Sequence, residues 1–144
     1  MYEFLHHRAR DVMTREPVTI GPQTSLAEVH ALFERHDFDA LPVLGDAGRL
    51  VGLVSKLDLL KAFRFTEKDI VPHYEDIMQQ AAETVMTREP ACVPPSAPLT
   101  RVLETMVATR NKSLPVVDGD VLAGIVARED VLRALRAAAR TPRA

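Results

Sequence analysis

Two tetrapeptides concentrate the side chains that could hold a small anionic molecule. Ser55-Lys56-Leu57-Asp58 follows an apolar run and opens a helical pattern. A helix N-terminus presents unpaired backbone N–H groups and the positive end of the aligned peptide dipoles, so it attracts an anion. Ser55 adds a hydroxyl directed at a phosphate. Asp58 is an acceptor-only carboxylate suited to paired ribose hydroxyls, as in other nucleotide sites. Ser-x-x-Asp is equally a plain helix cap, so the tetrapeptide alone leaves both readings open. The second tetrapeptide, Ala127-Arg128-Glu129-Asp130, keeps the carboxylate but has Ala127 where Ser55 stands. It lacks one phosphate donor and the N-cap. Arg128 is a candidate to supply phosphate charge instead, bidentately, while Glu129 opposes an anionic ligand. The Asp58 site therefore ranks above the Asp130 site.

Other chemistry is poorly supported. His6, His7, His30, His36 and His73 show no HxxxH spacing, and Cys92 is the sole cysteine, so neither a metal centre nor an internal disulfide is expected. Cys92 sits in a short β-prone run and is expected in the core rather than as a nucleophile. Ser55 lacks the G-x-S-x-G setting of a nucleophile elbow. No base–nucleophile constellation emerges, so no catalytic residue is assigned and the chain is not expected to be an enzyme. Arg15 and Arg88 are candidate phosphate contacts, with solvated loop charge the plainer reading.

The elements that must position these residues come in duplicate. Residues 12–17 read VMTREP and residues 85–90 read it again. At this offset of 73, residues 12–43 contain 12 identities in 32 positions, where unrelated sequences would give about two. After Val43 the offset drops to 72, pairing Gly52 with Gly124, Val54 with Val126, Asp58 with Asp130 and Leu60 with Leu132. In the first copy, 18–20 reads as a short strand. Ser25 to Glu28 is a capping box leading a helix with Leu26, Val29, Leu32 and Phe33 on one face, ending near His36. Strands follow at 40–44 and 50–54 around a Gly45–Gly48 turn, then a helix with Leu57, Leu59, Leu60 and Phe63. The second copy repeats the order. Its helix faces carry Leu99, Val102, Leu103, Met106 and Val107, then Val131, Leu132 and Leu135. The expected boundaries are 8–65 and 81–139 for the copies, 66–80 for a linker with a short helix entered by Pro72, and 140–144 for a frayed tail. Copies of this size are marginal alone and are expected to share one core. Phe63, Phe65, Tyr74, Ile77 and Met78 put apolar surface in and near the linker, either as internal packing or as part of a dimer face.

With V-M-T-x-x-P, a central L-P-V (41–43 and 114–116) and G-x-[VI]-[ST]-x-x-D (52–58, and 124–130 with Ala127 at the Ser/Thr position) in order twice, the chain resembles the CBS domain family. The resemblance implies an α/β fold of α+β type: two β-α-β-β-α repeats packed with pseudo-twofold symmetry, with two clefts between them. It implies a non-enzymatic regulatory sensor binding adenosine-containing ligands (AMP, ADP, ATP, S-adenosylmethionine, occasionally NAD-type molecules). No obligatory cofactor follows. It further implies a flat homodimer and a regulated partner, an enzyme or transporter. Asp58 and Ser55 take the ribose and phosphate roles. Carried over residue by residue, the adenine in the Asp58 cleft would lie against Ala91, Asn111 and Lys112, with Asn111 on a base edge and Lys112 reaching phosphate. The Asp130 cleft would use Val18, Phe38 and Asp39, with Phe38 stacking on the base and Asp39 repelling phosphate. Core packing is the plainer reading for Val18, Ala91 and Phe38. The alternative to a ligand sensor is a ligand-free dimerisation or adaptor module.

Composition narrows the rest. The 144 residues are 47% apolar and 26% charged, with a net charge of -2, the balance of an ordinary soluble domain. This length excludes a TIM barrel. No apolar run approaches the ~20 residues of a membrane span, and residues 1–10 lack the apolar core of a signal peptide. A cytoplasmic location without membrane association is expected. Near-neutral charge disfavours nucleic-acid binding.

Overall fold

The computed structural model describes residues 2–64 and 73–140, and the expectations for Phe65, Pro72 and the 141–144 tail fall outside them. In chain order the elements are α1 (Tyr2–His6), α2 (Ala9–Val12), β1 (Thr14–Arg15), α3 (Leu26–Arg35), β2 (Ala40–Leu44), β3 (Leu50–Ser55) and α4 (Lys56–Lys61). They continue with α5 (Tyr74–Met78), β4 (Thr87–Arg88), α6 (Leu99–Thr109), β5 (Ser113–Asp118), β6 (Val121–Ala127) and α7 (Arg128–Arg140). The mixture of helix and antiparallel strand is the α+β class that the motifs imply.

The local signals form as their chemistry dictates. Ser25 caps α3, its Oγ accepting from the Glu28 N–H, and His36 closes that helix. Leu26, Val29 and Phe33 are its buried face. On α6 the buried set is Leu99, Val102 and Met106. The expected apolar faces are narrower than the periodicity suggests: Leu57, Leu60, Val107 and Leu132 are each more than half exposed.

The chain divides into two compact units, Val18–Pro90 and Met1–Pro17 with Ala91–Ala144. Each holds a three-stranded antiparallel sheet, β2-β3-β4 in the first and β1-β6-β5 in the second. A parallel bridge adds a further segment to each, Ile20 to Val43 and Val93 to Val116. The expectation of a single shared core is corrected, because the buried apolar side chains form one cluster per unit. Leu26, Leu41, Val43 and Val54 centre one; Leu99, Leu114, Val116 and Val126 centre the other.

The unit boundaries do not follow the sequence copies. β1, from the first VMTREP, pairs with β6, with Thr14 opposite Ile125. β4, from the second, pairs with β3, with Thr87 opposite Leu53. The exchange extends upstream. Ala9 N–H donates to the Ala97 carbonyl at 2.8 Å, and Ala82 N–H to that of Thr24 at 2.7 Å. Leu99 N–H donates to His7 and Leu26 N–H to Gln80, again at the offset of 73. Ala9 and Ala82 are both fully buried where the segments meet. Thus α1 and α5 are equivalent pieces, each docked on the body formed by the other half of the chain.

One turn carries strain. Ala47 adopts φ 57, ψ 28 between Asp46 and Gly48, a left-handed conformation that costs an L-residue roughly 1–2 kcal/mol. Its side chain is exposed. Ala47→Gly should raise stability by a few tenths to about 1 kcal/mol, the relief of strain exceeding the added chain entropy of glycine. Thermal melts of the two proteins check this; a lower melting temperature in the variant would refute it.

Candidate functional site

The site in the Val18–Pro90 unit is built where β3 runs into α4. Ser55 and Asp58 form a reciprocal capping box: Asp58 N–H donates to Ser55 Oγ at 3.1 Å, and Ser55 N–H donates to Asp58 Oδ2 at 2.9 Å. The cap reading of the tetrapeptide is therefore realised. It does not account for everything at Asp58. Asp58 as a whole is only 5% exposed, Lys61 Nζ lies 3.6 Å from Oδ1, and the Thr87 hydroxyl donates from 3.4 Å. A charge this dry needs several partners. Thr87 arrives on β4, brought by the strand exchange.

Thr87 is the residue that sequence reasoning missed. The doubled VMTREP carries the signal, since it places a threonine identically in both copies, beside Arg15 and Arg88. Both arginines are exposed.

The second unit repeats the plan with different side chains. Asp130 Oδ2 accepts from Ala127 N–H at 2.8 Å, so half of the capping box survives without the serine. Arg133 Nη1 sits 3.1 Å from Asp130 Oδ1, in the position of Lys61. Arg128 is committed elsewhere: its Nη2 donates to the Arg110 carbonyl at 2.6 Å and its Nε to the Asn111 carbonyl at 3.2 Å. Its backbone N–H donates to Lys112 O at 3.0 Å. It thereby ties the end of α6, where Arg110 stands at φ 60, to the start of α7. Two of its five guanidinium donors are spent on carbonyls, which leaves less for a phosphate.

The remaining candidates divide between the units. Val18, Phe38 and Asp39 belong to the unit of Ser55, Asp58 and Thr87. Ala40 pairs with Ser55 across β2 and β3, so Phe38 and Asp39 lie at the strand end where α4 begins. Phe38 is half-buried, stacked on His36 at 5.1 Å and edge-on to Phe33. One ring face is thus already occupied. Val18 is 39% exposed and is not core. Ala91, Asn111 and Lys112 belong to the unit of Arg128 and Asp130. Ala91 packs against that unit's core, Asn111 is half-buried and Lys112 is exposed. Cys92, expected in the core, is exposed, because its neighbour Val93 takes the inward position in the bridge to Val116. Among the described residues no group of three or more His, Cys, Asp or Glu is arranged to hold a metal ion. Among them, too, no helix is long and apolar enough to cross a membrane.

Comparison with known proteins adds an independent line. A family model described as the CBS domain matches residues 9–64 and 82–137. An uncharacterised protein of Methanocaldococcus jannaschii is 28% identical, the match covering 88% of this chain and 89% of that protein. Inosine-5'-monophosphate dehydrogenase of the same organism is 27% identical over 88% of this chain, but the chain spans only 23% of that enzyme. Among solved structures, CBSX2 in complex with AMP is 30% identical with a TM-score of 0.80, covering 93% of this chain and 99% of that one; CBSX2 is a CBS-pair protein from Arabidopsis thaliana. The CBS domain pair of protein MJ0100, in complex with 5-methylthioadenosine and S-adenosyl-L-methionine, is 25% identical with a TM-score of 0.73, covering 90% of this chain and 99% of that one.

Proposed function

Since the chain belongs to the CBS domain family and carries two copies of the domain, we propose that it is a regulatory module that binds an adenosine-containing ligand. AMP, ADP, ATP and S-adenosylmethionine are the candidates, and occupancy is passed to a partner protein, an enzyme or transporter, without catalysis by this chain. The reading includes self-association as a homodimer and a cytoplasmic setting. The observation that carries it is the Asp58 carboxylate: nearly buried, held by Ser55 and Thr87, and repeated as Asp130. A carboxylate fixed in a dry setting is an effective acceptor for a ribose diol, because its hydrogen bonds are not diluted by water. The likeness to an AMP complex at 30% identity supports the ligand class. Ala91, Asn111 and Lys112 in one unit, and Val18, Phe38 and Asp39 in the other, are further proposed ligand contacts.

One observation favours a second reading, a ligand-free adaptor. Both oxygens of Asp58 already have partners, and Arg128 is spent on backbone carbonyls. Thermal shift separates the two. A ligand at ~100 times its Kd should stabilise by about 2.7 kcal/mol. AMP, ADP, ATP, S-adenosylmethionine, 5-methylthioadenosine and NADH are each titrated. A shift with any of them is the expected result; no shift with all six would overturn the sensor reading in favour of the adaptor.

A further inference from the structure

The two carboxylates differ at one oxygen. Asp58 Oδ2 accepts from Ser55 N–H at 2.9 Å, and Asp130 Oδ2 accepts from Ala127 N–H at 2.8 Å. The backbone takes the same place in both units. A ribose diol brings two hydroxyl protons, so it draws on Oδ1 as well. There the units part. A cation stands three residues after each carboxylate, Lys61 after Asp58 and Arg133 after Asp130. Lys61 Nζ stops 3.6 Å from Asp58 Oδ1, beyond hydrogen-bond distance. It offsets the charge and leaves lone pairs available. The Thr87 hydroxyl lies 3.5 Å from Oδ1 and 3.4 Å from Oδ2, and its single proton serves one of them. Arg133 Nη1, by contrast, donates to Asp130 Oδ1 at 3.1 Å. A guanidinium hydrogen-bonds a carboxylate in a fixed direction, where an ammonium acts as a point charge.

Arg133 also has a second place to go. Its side chain is 72% exposed. It lines a cavity of about 280 Å³ with Glu3, His7, Asp11 and Asp130, where α1 and α2 meet α7. Asp11 Oδ2 accepts from Arg8 N–H at 2.8 Å and stands 3.8 Å from His7 Nδ1. A guanidinium displaced from Asp130 thus stays among carboxylates. The counterparts of Glu3, His7 and Asp11 in the other copy are Asp76, Gln80 and Thr84, one carboxylate fewer.

We propose that the cation three residues after the carboxylate sets the affinity of each site. Arg133 is a latch on Asp130 that a ribose diol must displace, and Lys61 leaves Asp58 open. This rests on the adenosine-binding reading above and adds which unit fills first. Both cations are positioning residues, because each acts through its carboxylate. An ion pair with one partner this exposed holds weakly, so the latch grades affinity rather than closing the site outright.

The test titrates the full chain with adenosine, which carries the diol and no phosphate. The backbone amides of Ser55 and Ala127 donate to the two carboxylates, so their NMR shifts read the two sites separately. In the wild type the Ser55 amide should respond at lower concentration than the Ala127 amide. Arg133→Met should tighten binding read at Ala127 by about three- to tenfold, the scale of one displaced hydrogen bond, and leave Ser55 unchanged. Arg133→Lys keeps the charge but withdraws the directed donor, so it should tighten the same site. Lys61→Arg should weaken binding read at Ser55 by a similar factor and leave Ala127 unchanged. Circular dichroism confirms folding, and Arg133→Ala stands in should Arg133→Met misfold. Variants that move neither reading, or both together, would overturn the latch while leaving the ligand class intact. A wild type in which neither amide responds to adenosine or AMP would sink the adenosine reading itself, and the latch with it.

Discussion

Gly124→Ala is expected to cost about 3 kcal/mol, and Gly52→Ala about 1 kcal/mol, although the two glycines are equivalent in the repeat. A Cβ on Gly124 would lie 2.6 Å from the Thr14 carbonyl oxygen and 2.7 Å from Met13 Sδ. The carbonyl belongs to the backbone of β1, which pairs with β6 through that same stretch, Arg15 opposite Gly124. It can retreat only by giving up the pairing. A Cβ on Gly52 would meet Met86 Sδ at 2.5 Å, but the Thr87 carbonyl oxygen stands off at 3.1 Å. Methionine is flexible and can swing aside at modest cost. The functional consequence runs the other way. Gly52 pairs with Arg88, next to Thr87, and the Thr87 carbonyl at 3.1 Å must still give by a few tenths of an ångström, a small shift of β4 that draws the Thr87 hydroxyl from Asp58. Gly52→Ala should therefore weaken ligand binding beyond its effect on stability. Chemical denaturation of both variants measures the first claim. Equal losses of stability would show that the short exchanged strands are not clamped as described.

Asp58→Asn should weaken binding of the preferred adenosine ligand by about 10- to 100-fold while leaving the fold nearly as stable as wild type. A hydrogen bond to a charged group contributes about 1.5–3 kcal/mol, and each 1.4 kcal/mol is tenfold in affinity. Asparagine keeps an oxygen that accepts from Ser55 N–H, so the cap survives, while the charge facing a ribose diol and Lys61 is lost. Asp58→Ala removes the acceptor as well and should cost a further ~1 kcal/mol of stability through the orphaned N–H. The pair of variants separates the two jobs of one carboxylate. Asp130→Asn should have a smaller effect on affinity, because its unit lacks the serine hydroxyl and has its arginine engaged. Titration calorimetry with AMP, beside melting of each variant, reads both quantities. If Asp58→Asn binds as well as wild type, the carboxylate is a cap and nothing more.

Much of this was legible before any coordinates. The Ser25 cap and the Ser55 capping box rest on contacts between residues three apart, and the strands at 40–44 and 50–55 on runs of β-prone residues, all of which a sequence displays directly. The strand expected at 18–20, by contrast, forms only a bridge from Ile20 to Val43. The same locality explains what was misjudged. Val107 and Leu132 satisfy helical spacing for an inward face, yet both point outward, because spacing cannot say how wide a stripe the neighbouring element covers. Cys92 and Val93 are adjacent in one β-prone run, and only the bridge to Val116 decides which of them turns inward. Arg128 was free to serve a phosphate until the left-handed end of α6 placed two carbonyls within its reach.

The deepest division lies between the repeat and the exchange. That the chain is a doubled module with carboxylates at Asp58 and Asp130 was determined by residue identities alone, since two matching motif sets survive in order along the chain. That each half lends its opening segment to the other's sheet was decided only in three dimensions. Thr87 reaches Asp58 across 29 positions, through strand pairing that Gly52 permits by having no side chain. Such a contact has no local signature, because its free energy comes from surfaces that meet only after the chain has folded.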